Sequence, residues 1–241
     1  RTPSNILVPD TIHGIIAARI DRVEEDIKRI MQVASVIGRE FAFRILQTIM
    51  GMRAELKSQL LTLQGLEFIS EKRLFPELEY IFKHALTQEV AYSSLLQKRR
   101  KEIHEKIGAA IEALYSDRLE EYYELLAYHY GRSDNQDKAL AYLEHANQKA
   151  AKLNAVDDAM GYFDDAMKIL DTLSETKINQ ERRIILLKNQ VMVFYLSGKF
   201  PEYYDLLKRF EPMAIGLENQ SLLGAYYARM GHCEWWFGEL D

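Results

Sequence analysis

The chain has 241 residues, 48% of them hydrophobic and 28% charged, an ordinary globular composition with enough apolar side chains for a sizeable core. Five prolines and twelve glycines, against abundant Leu, Ala, Glu, Lys and Gln, exclude a Pro/Gly-rich fibrous or disordered chain and favour an all-α class. The net charge of −5 is unevenly spread, +4 over residues 1–101 and −9 over the rest, so the two parts differ in kind.

The lone Cys233 cannot form an internal disulfide, which fits a reducing compartment. No run of about 18 apolar residues is present, and the N-terminus lacks the layout of a signal peptide. A soluble, cytoplasmic segment without a membrane partner is expected. Arg1-Thr2-Pro3-Ser4 does not read as a natural start, and Gly238-Glu239-Leu240-Asp241 reads as a half-finished helical hairpin, so both ends are expected to be boundaries within a longer protein.

In chain order, residues 11–22 place Ile12, Ile15, Ile16 and Ile20 on one helical face, with Asp10 positioned to cap the first amides. A second helix carries Ile27, Ile30, Met31, Ala34 and Ile37 and stops at Gly38. Helices over Phe41–Met50 and Arg53–Leu63 end at Gly51 and Gly65. Two strand-like runs, Glu67–Arg73 and Leu78–Lys83, flank a turn at Pro76, and another helix begins at His84. Helices followed by one small β-hairpin suggest a winged-helix-like domain over residues 11–96, preceded by a linker end at 1–10.

From Gln97 the pattern predicts helices over 97–115, 118–131, 136–153, 155–172, 178–197, 200–215 and 219–237. Ala139, Leu143 and Ala146 repeat as Ala159, Phe163 and Ala166, a small-large-small spacing that lets helices approach closely and marks the second helix of a tetratricopeptide unit. Phe194-Tyr195 with Gly198 and Phe200 begins a further unit, and Tyr227, Met230 and Gly231 another. The spacing is irregular, so residues 97–241 are expected to form a truncated, right-handed, tetratricopeptide-like array.

Four stretches carry a family resemblance: Val8-Pro9-Asp10-Thr11-Ile12, Ala18-Arg19-Ile20-Asp21-Arg22, Ala34 through Phe41, and Phe82 through Tyr92. Arg99-Arg100, His104, Glu112 and Leu126 through Tyr130 continue it. Together they resemble the region that follows the ATPase core in bacterial STAND ATPases, many of which carry a class III adenylate or guanylate cyclase and a C-terminal repeat array. The resemblance covers about residues 8–172. It implies that the ATP/ADP-binding domain, and any cyclase, lie upstream and that this domain is an intramolecular partner. No Gly-x4-Gly-Lys-Ser/Thr phosphate loop is present here, so the fragment is expected to hold no cofactor and to be no enzyme.

The resemblance also singles out His84. In related switches a winged-helix histidine of a His-Asp-Leu motif touches the ADP phosphate and holds the closed state; here His84-Ala85-Leu86 lacks the Asp. A structural histidine is the competing reading.

Other chemistry is sparse. Lys98-Arg99-Arg100-Lys101 is the only dense basic run, but Glu102 and Glu105 interleave it, and the candidate recognition helix 53–63 offers only Arg53 and Lys57. Nucleic acid is therefore the less favoured partner. His13, His104, His129, His145 and His232 show no metal-ligand spacing, no metal is expected, and no Ser or Cys nucleophile motif appears. Asp157-Asp158 and Asp164-Asp165 fall on a helical exterior, and Tyr122, Tyr123, Tyr128 and Tyr130 on core positions.

A binding surface is expected on the first helices of the repeats, at Lys188, Met192 and Tyr195 in one unit and His232, Trp235 and Trp236 in the next. Adjacent tryptophans point about 100° apart on a helix, so one neighbour cannot bury both. A protein or small-molecule ligand would fit such a surface, whereas packing by further helices is the bland alternative. The functional expectation is a regulatory and protein-interaction segment relaying a signal between repeats and nucleotide domain; the alternative is a DNA-binding winged-helix regulator with a helical-repeat sensor.

Overall fold

The computed structural model describes residues 10–51 and 55–238. The architecture is mostly α-helical with one small antiparallel sheet, in the order α1 (Asp10–Asp21), α2 (Glu25–Ile37), β1 (Glu40–Ala42), α3 (Phe43–Met50), α4 (Leu56–Gly65), β2 (Ile69–Arg73), β3 (Glu79–Phe82), α5 (Ala85–Ser93) and α6 (Gln97–Leu114). A 3₁₀ turn (Leu119–Tyr122) precedes α7 (Tyr123–Tyr130), α8 (Gln136–Lys152), α9 (Val156–Thr172), α10 (Lys177–Lys188), α11 (Val191–Leu196), α12 (Phe200–Ile215) and α13 (Gln220–Phe237). No helix among the described residues is long and apolar enough to cross a membrane. The side chain of Asp10 and residue Arg53 lie outside the described residues, as do the first residues of the helix expected over 53–63.

Among the described residues, those up to 122 together with 129–135 make one compact unit, and 123–128 with 136–238 make the other. In the first, α2 is the central helix, its Ile30 and Met31 fully buried beside Phe41, Leu46, Leu56, Leu60 and Phe82 of neighbouring elements. α5 packs on α1 and α2, and α6 on α2 and α3.

The expected hairpin is a three-stranded sheet in the order β1-β3-β2. The third strand comes from Glu40-Phe41-Ala42, whose first two residues pair with Ile81 and Tyr80 of β3. Burial of one ring drives that pairing: Phe41 lies 5.7 Å from the rings of both Tyr80 and Phe82. Lys72 of β2 also reaches Glu40 as an ion pair across the sheet face.

Helix ends follow the glycines only in part. Gly51 closes α3 in the left-handed conformation, as expected of a residue without a Cβ. After α4 the left-handed position is taken not by Gly65 but by Glu67, at φ 63°.

In the second unit α8 and α9 form the closest helix pair, α12 packs with α13, and α10 contacts α9, α12 and α13. All six residues of the repeated small-large-small pattern are buried. Asn147 on α8 and Gln190 make a buried reciprocal amide pair, with Gln190 Nε2 donating to Asn147 Oδ1 at 2.8 Å and Asn147 Nδ2 to Gln190 Oε1 at 3.2 Å. The Asn147 amide also donates to the carbonyl of Ala159 at 2.8 Å, tying α8 to α9.

The continuous helix expected over 178–197 is broken at Asn189-Gln190. The break deprives carbonyls of the amide four residues on that a continuous helix would supply, and tertiary donors take them. The Tyr203 hydroxyl donates to Leu187 O at 3.0 Å and Arg229 Nε to Lys188 O at 3.2 Å.

Candidate functional site

His84 stands where β3 hands over to α5. Its backbone is extended, its carbonyl accepts the Thr87 amide at 3.0 Å, and its exposed imidazole makes no capping bond to the helix. The ring is thus presented to solvent at a rigid strand-to-helix junction, where an outside group could reach it.

The residues expected on the repeat surface converge in part. Tyr195 on α11 meets Trp236 on α13 edge to face at 5.1 Å. Phe200, buried, is the hub: its ring lies 5.9 Å from Tyr195, 5.7 Å from Trp236, 6.1 Å from His232 and 6.0 Å from Phe237. Trp235 extends the patch through His232 at 6.2 Å. Both tryptophans keep much of their surface in solvent, 63% for Trp235 and 49% for Trp236, and Met192 is 57% exposed. Met192 stays outside the ring cluster, and Lys188 is held to α13 by its backbone carbonyl. An exposed assembly of rings this size is costly to leave in water and suits capture of an apolar side chain.

A second feature of this unit is a cavity of about 400 Å³ lined by Phe163, Met167, Arg183, Phe194 and Phe210 among others. Arg183 is buried, donates to Asp171 Oδ1 at 2.7 Å and lies 5.1 Å over the Phe210 ring. Asp164, Asp171, Lys199, Glu202 and Arg209 also line it, so the space is a mixed, strongly charged one rather than an apolar pocket.

The first unit holds a constellation that sequence spacing hides. His104 on α6 and His129 on α7, both buried, approach Nδ1 to Nδ1 at 2.9 Å, and Tyr92 contributes its hydroxyl 3.3 Å from His104 Nε2. Such a contact requires one Nδ1 to donate and the other to accept, so the two rings cannot both be protonated. Burial is the main force holding both imidazoles well below the ordinary range, His104 to about 4; the guanidiniums of Arg132 and Arg100 push His104 further down. Among the described residues no group of three His, Cys, Asp or Glu side chains is arranged to hold a metal ion.

Above this pair opens a cavity of about 410 Å³ whose lining includes Tyr92, Gln97, Arg100, Lys101, His104 and Arg132. Arg100 packs its guanidinium 4.9 Å over the Tyr92 ring. Of the basic run, Arg99 is neutralised by Glu102 at 2.7 Å and Lys101 by Asp134 at 2.7 Å. The sequence marked the run but not the arginine that turns inward.

No protein-family model matches this sequence, and comparison with curated proteins finds no similar one.

Proposed function

We propose that this chain is a regulatory, non-enzymatic segment of a larger STAND-type signalling ATPase or cyclase, in which tetratricopeptide-like helices bind a protein ligand and a winged-helix-like unit contacts the nucleotide-binding domain. The observation that carries the interaction role is the exposed aromatic assembly of Tyr195, His232, Trp235 and Trp236 around Phe200. Its occupant is a peptide segment offering apolar side chains, since aromatic anchors at the rim of a packed ring provide contact area at low entropic cost. What supports the winged-helix-like reading is the order of α2, β1, α3, α4, β2 and β3, with His84 exposed directly after the last strand.

The test is a peptide-display selection against the chain, with each selected peptide measured on a Trp236→Ser variant of unchanged thermal midpoint. Loss of about tenfold or more in affinity, as for a hot-spot aromatic, supports the surface. Peptides that bind the variant equally well, or tryptophans inaccessible to acrylamide in the free chain, sink it.

A further inference from the structure

The charges lining the cavity beside Arg183 are sorted along its length. α9 and α12 supply its two walls, with Phe194 of α11 between them. The rings of Phe163 and Tyr203 lie 5.7 and 5.2 Å from that of Phe194, so their chain neighbours Asp164 and Glu202 belong to one end of the cavity, where Lys199 precedes Glu202 by one turn of α12. The other end is gathered around Phe210. The guanidiniums of Arg183 and Arg209 lie 5.1 and 5.3 Å from its ring, and Asp171 is bound to Arg183 at 2.7 Å. Each wall spans the interval in two helical turns, Asp164 to Asp171 on α9 and Glu202 to Arg209 on α12, a rise of about 10 Å.

The two ends therefore carry opposite surpluses: two carboxylates against one ammonium at the first, two guanidiniums against one carboxylate at the second. Neither surplus is used up within the chain. Among the described residues Asp164, Glu202 and Arg209 make no ion pair, and Lys168, the one cation of α9, is held by Asp165 at 2.9 Å. Arg183 is only 7% exposed, and its hydrogen bonds, to Asp171 and Met167, both leave from Nη1, so the rest of the fork has no acceptor among the described residues. Its contact with the Phe210 ring orients that fork before anything binds. Between the ends the lining is apolar, with Phe163, Met167, Phe194 and Leu206.

The matching ligand carries a cation and an anion about 10 Å apart on an apolar body, since the helical rise sets that separation. A free amino acid holds both charges on one carbon and is too short. An extended peptide of about three residues, at roughly 3.3–3.6 Å each, places its terminal ammonium and carboxylate at the required span. The space of about 400 Å³ is of the size that holds a small ligand. We propose that this cavity binds a short apolar peptide with free termini, its ammonium between Asp164 and Glu202 and its carboxylate on the guanidiniums of Arg183 and Arg209. The site does not use the aromatic surface of Tyr195 and Trp236, and either can fail without the other.

The test is calorimetric titration of the whole chain with trileucine, alongside its N-acetylated form, its C-terminal amide, triglycine and free leucine. Trileucine should bind saturably with a dissociation constant of about 1 mM or tighter, and each control at least about tenfold more weakly, since each lacks one charge, the apolar body or the span. Arg209→Gln and Glu202→Gln should each weaken trileucine about tenfold. Both side chains are exposed, so neither change threatens the fold. Arg209→Gln should leave the affinity for the amide at its wild-type value, and Glu202→Gln that for the acetylated form, because each variant then removes a group whose partner is already gone. Trp236→Ser should change nothing. No saturable binding of trileucine overturns the proposal. So does binding of the blocked forms or of triglycine as tight as that of trileucine, or equal loss of the amide's affinity in Arg209→Gln and Glu202→Gln.

Discussion

Tyr130 lies across Gly108 so closely that a Cβ on residue 108 would sit 2.6 Å from two atoms of its ring. Tyr130 is buried, and its hydroxyl donates to Glu112 Oε2 at 2.8 Å, so the ring is pinned above the bare stretch of α6 that receives it. Gly108→Ala should therefore destabilise the chain by about 1–3 kcal/mol, the usual cost of overpacking, even though alanine is the better helix former by about 1 kcal/mol. Chemical denaturation of the wild type, Gly108→Ala, Tyr130→Ala and the double variant checks it. The double variant should recover part of the loss, and a stabilised single variant would refute the close approach.

The His104–His129 pair sets a pH dependence. Both folded values are depressed below the ordinary 6.5, so the unfolded chain binds more protons across the interval from 6.5 down toward about 4. The associated stability is fully present above pH 6.5 and is lost on acidification through that window, by up to about 1.4 kcal/mol per pH unit for each ring. Unfolding free energies measured between pH 7 and pH 4.5 should fall more steeply for the wild type than for a His104→Gln/His129→Gln variant. Parallel profiles would mean that the rings are charged in the fold.

On the proposed STAND-type reading, His84 acts only together with a nucleotide-binding domain. In a protein carrying such a domain, His84→Ala should speed ADP release and raise basal output by about ten- to a hundredfold, the range for losing one charge-assisted hydrogen bond from a two-state switch. The isolated chain should bind ATP and ADP no tighter than millimolar through this residue. Unchanged ADP retention in the domain-bearing variant removes His84 from the switch.

Tyr203→Phe probes the helix break. The hydroxyl that takes the Leu187 carbonyl is buried with it, and its removal should cost about 0.5–1.5 kcal/mol and speed amide exchange around residues 189–194. An unaltered exchange pattern there would show that the break is held by something else.

Local signals carried the helices well. Ile27, Ile30, Met31, Ala34 and Ile37 fall on the buried face of α2, and Gly38 and Gly51 follow the last helical residues. What escaped was set by distant partners. β1 is three residues long, too short for a period-two pattern, and exists because Phe41 is covered by Tyr80 and Phe82. No glycine or proline announces the break after Lys188, since its carbonyls are satisfied by Tyr203 and Arg229 from later helices. Trp235-Trp236 was legible as a pair too large to bury together, but the meeting of Trp236 with Tyr195 is 41 residues away in sequence. His104 and His129 lie on separate helices, and only their packing makes them one group.

The Asn147–Gln190 pair has a consequence for how this chain can diverge. Each amide fills both the donor and the acceptor need of the other, so losing either strands buried polar atoms on its partner, at about 1–3 kcal/mol. A change at one position is then tolerated chiefly with a matching change at the other, and a jointly apolar pair of similar volume is nearly neutral. Substitutions at residues 147 and 190 should travel together between related sequences. That pairwise inheritance would tell true relatives of this segment from chains that merely share its helical periodicity.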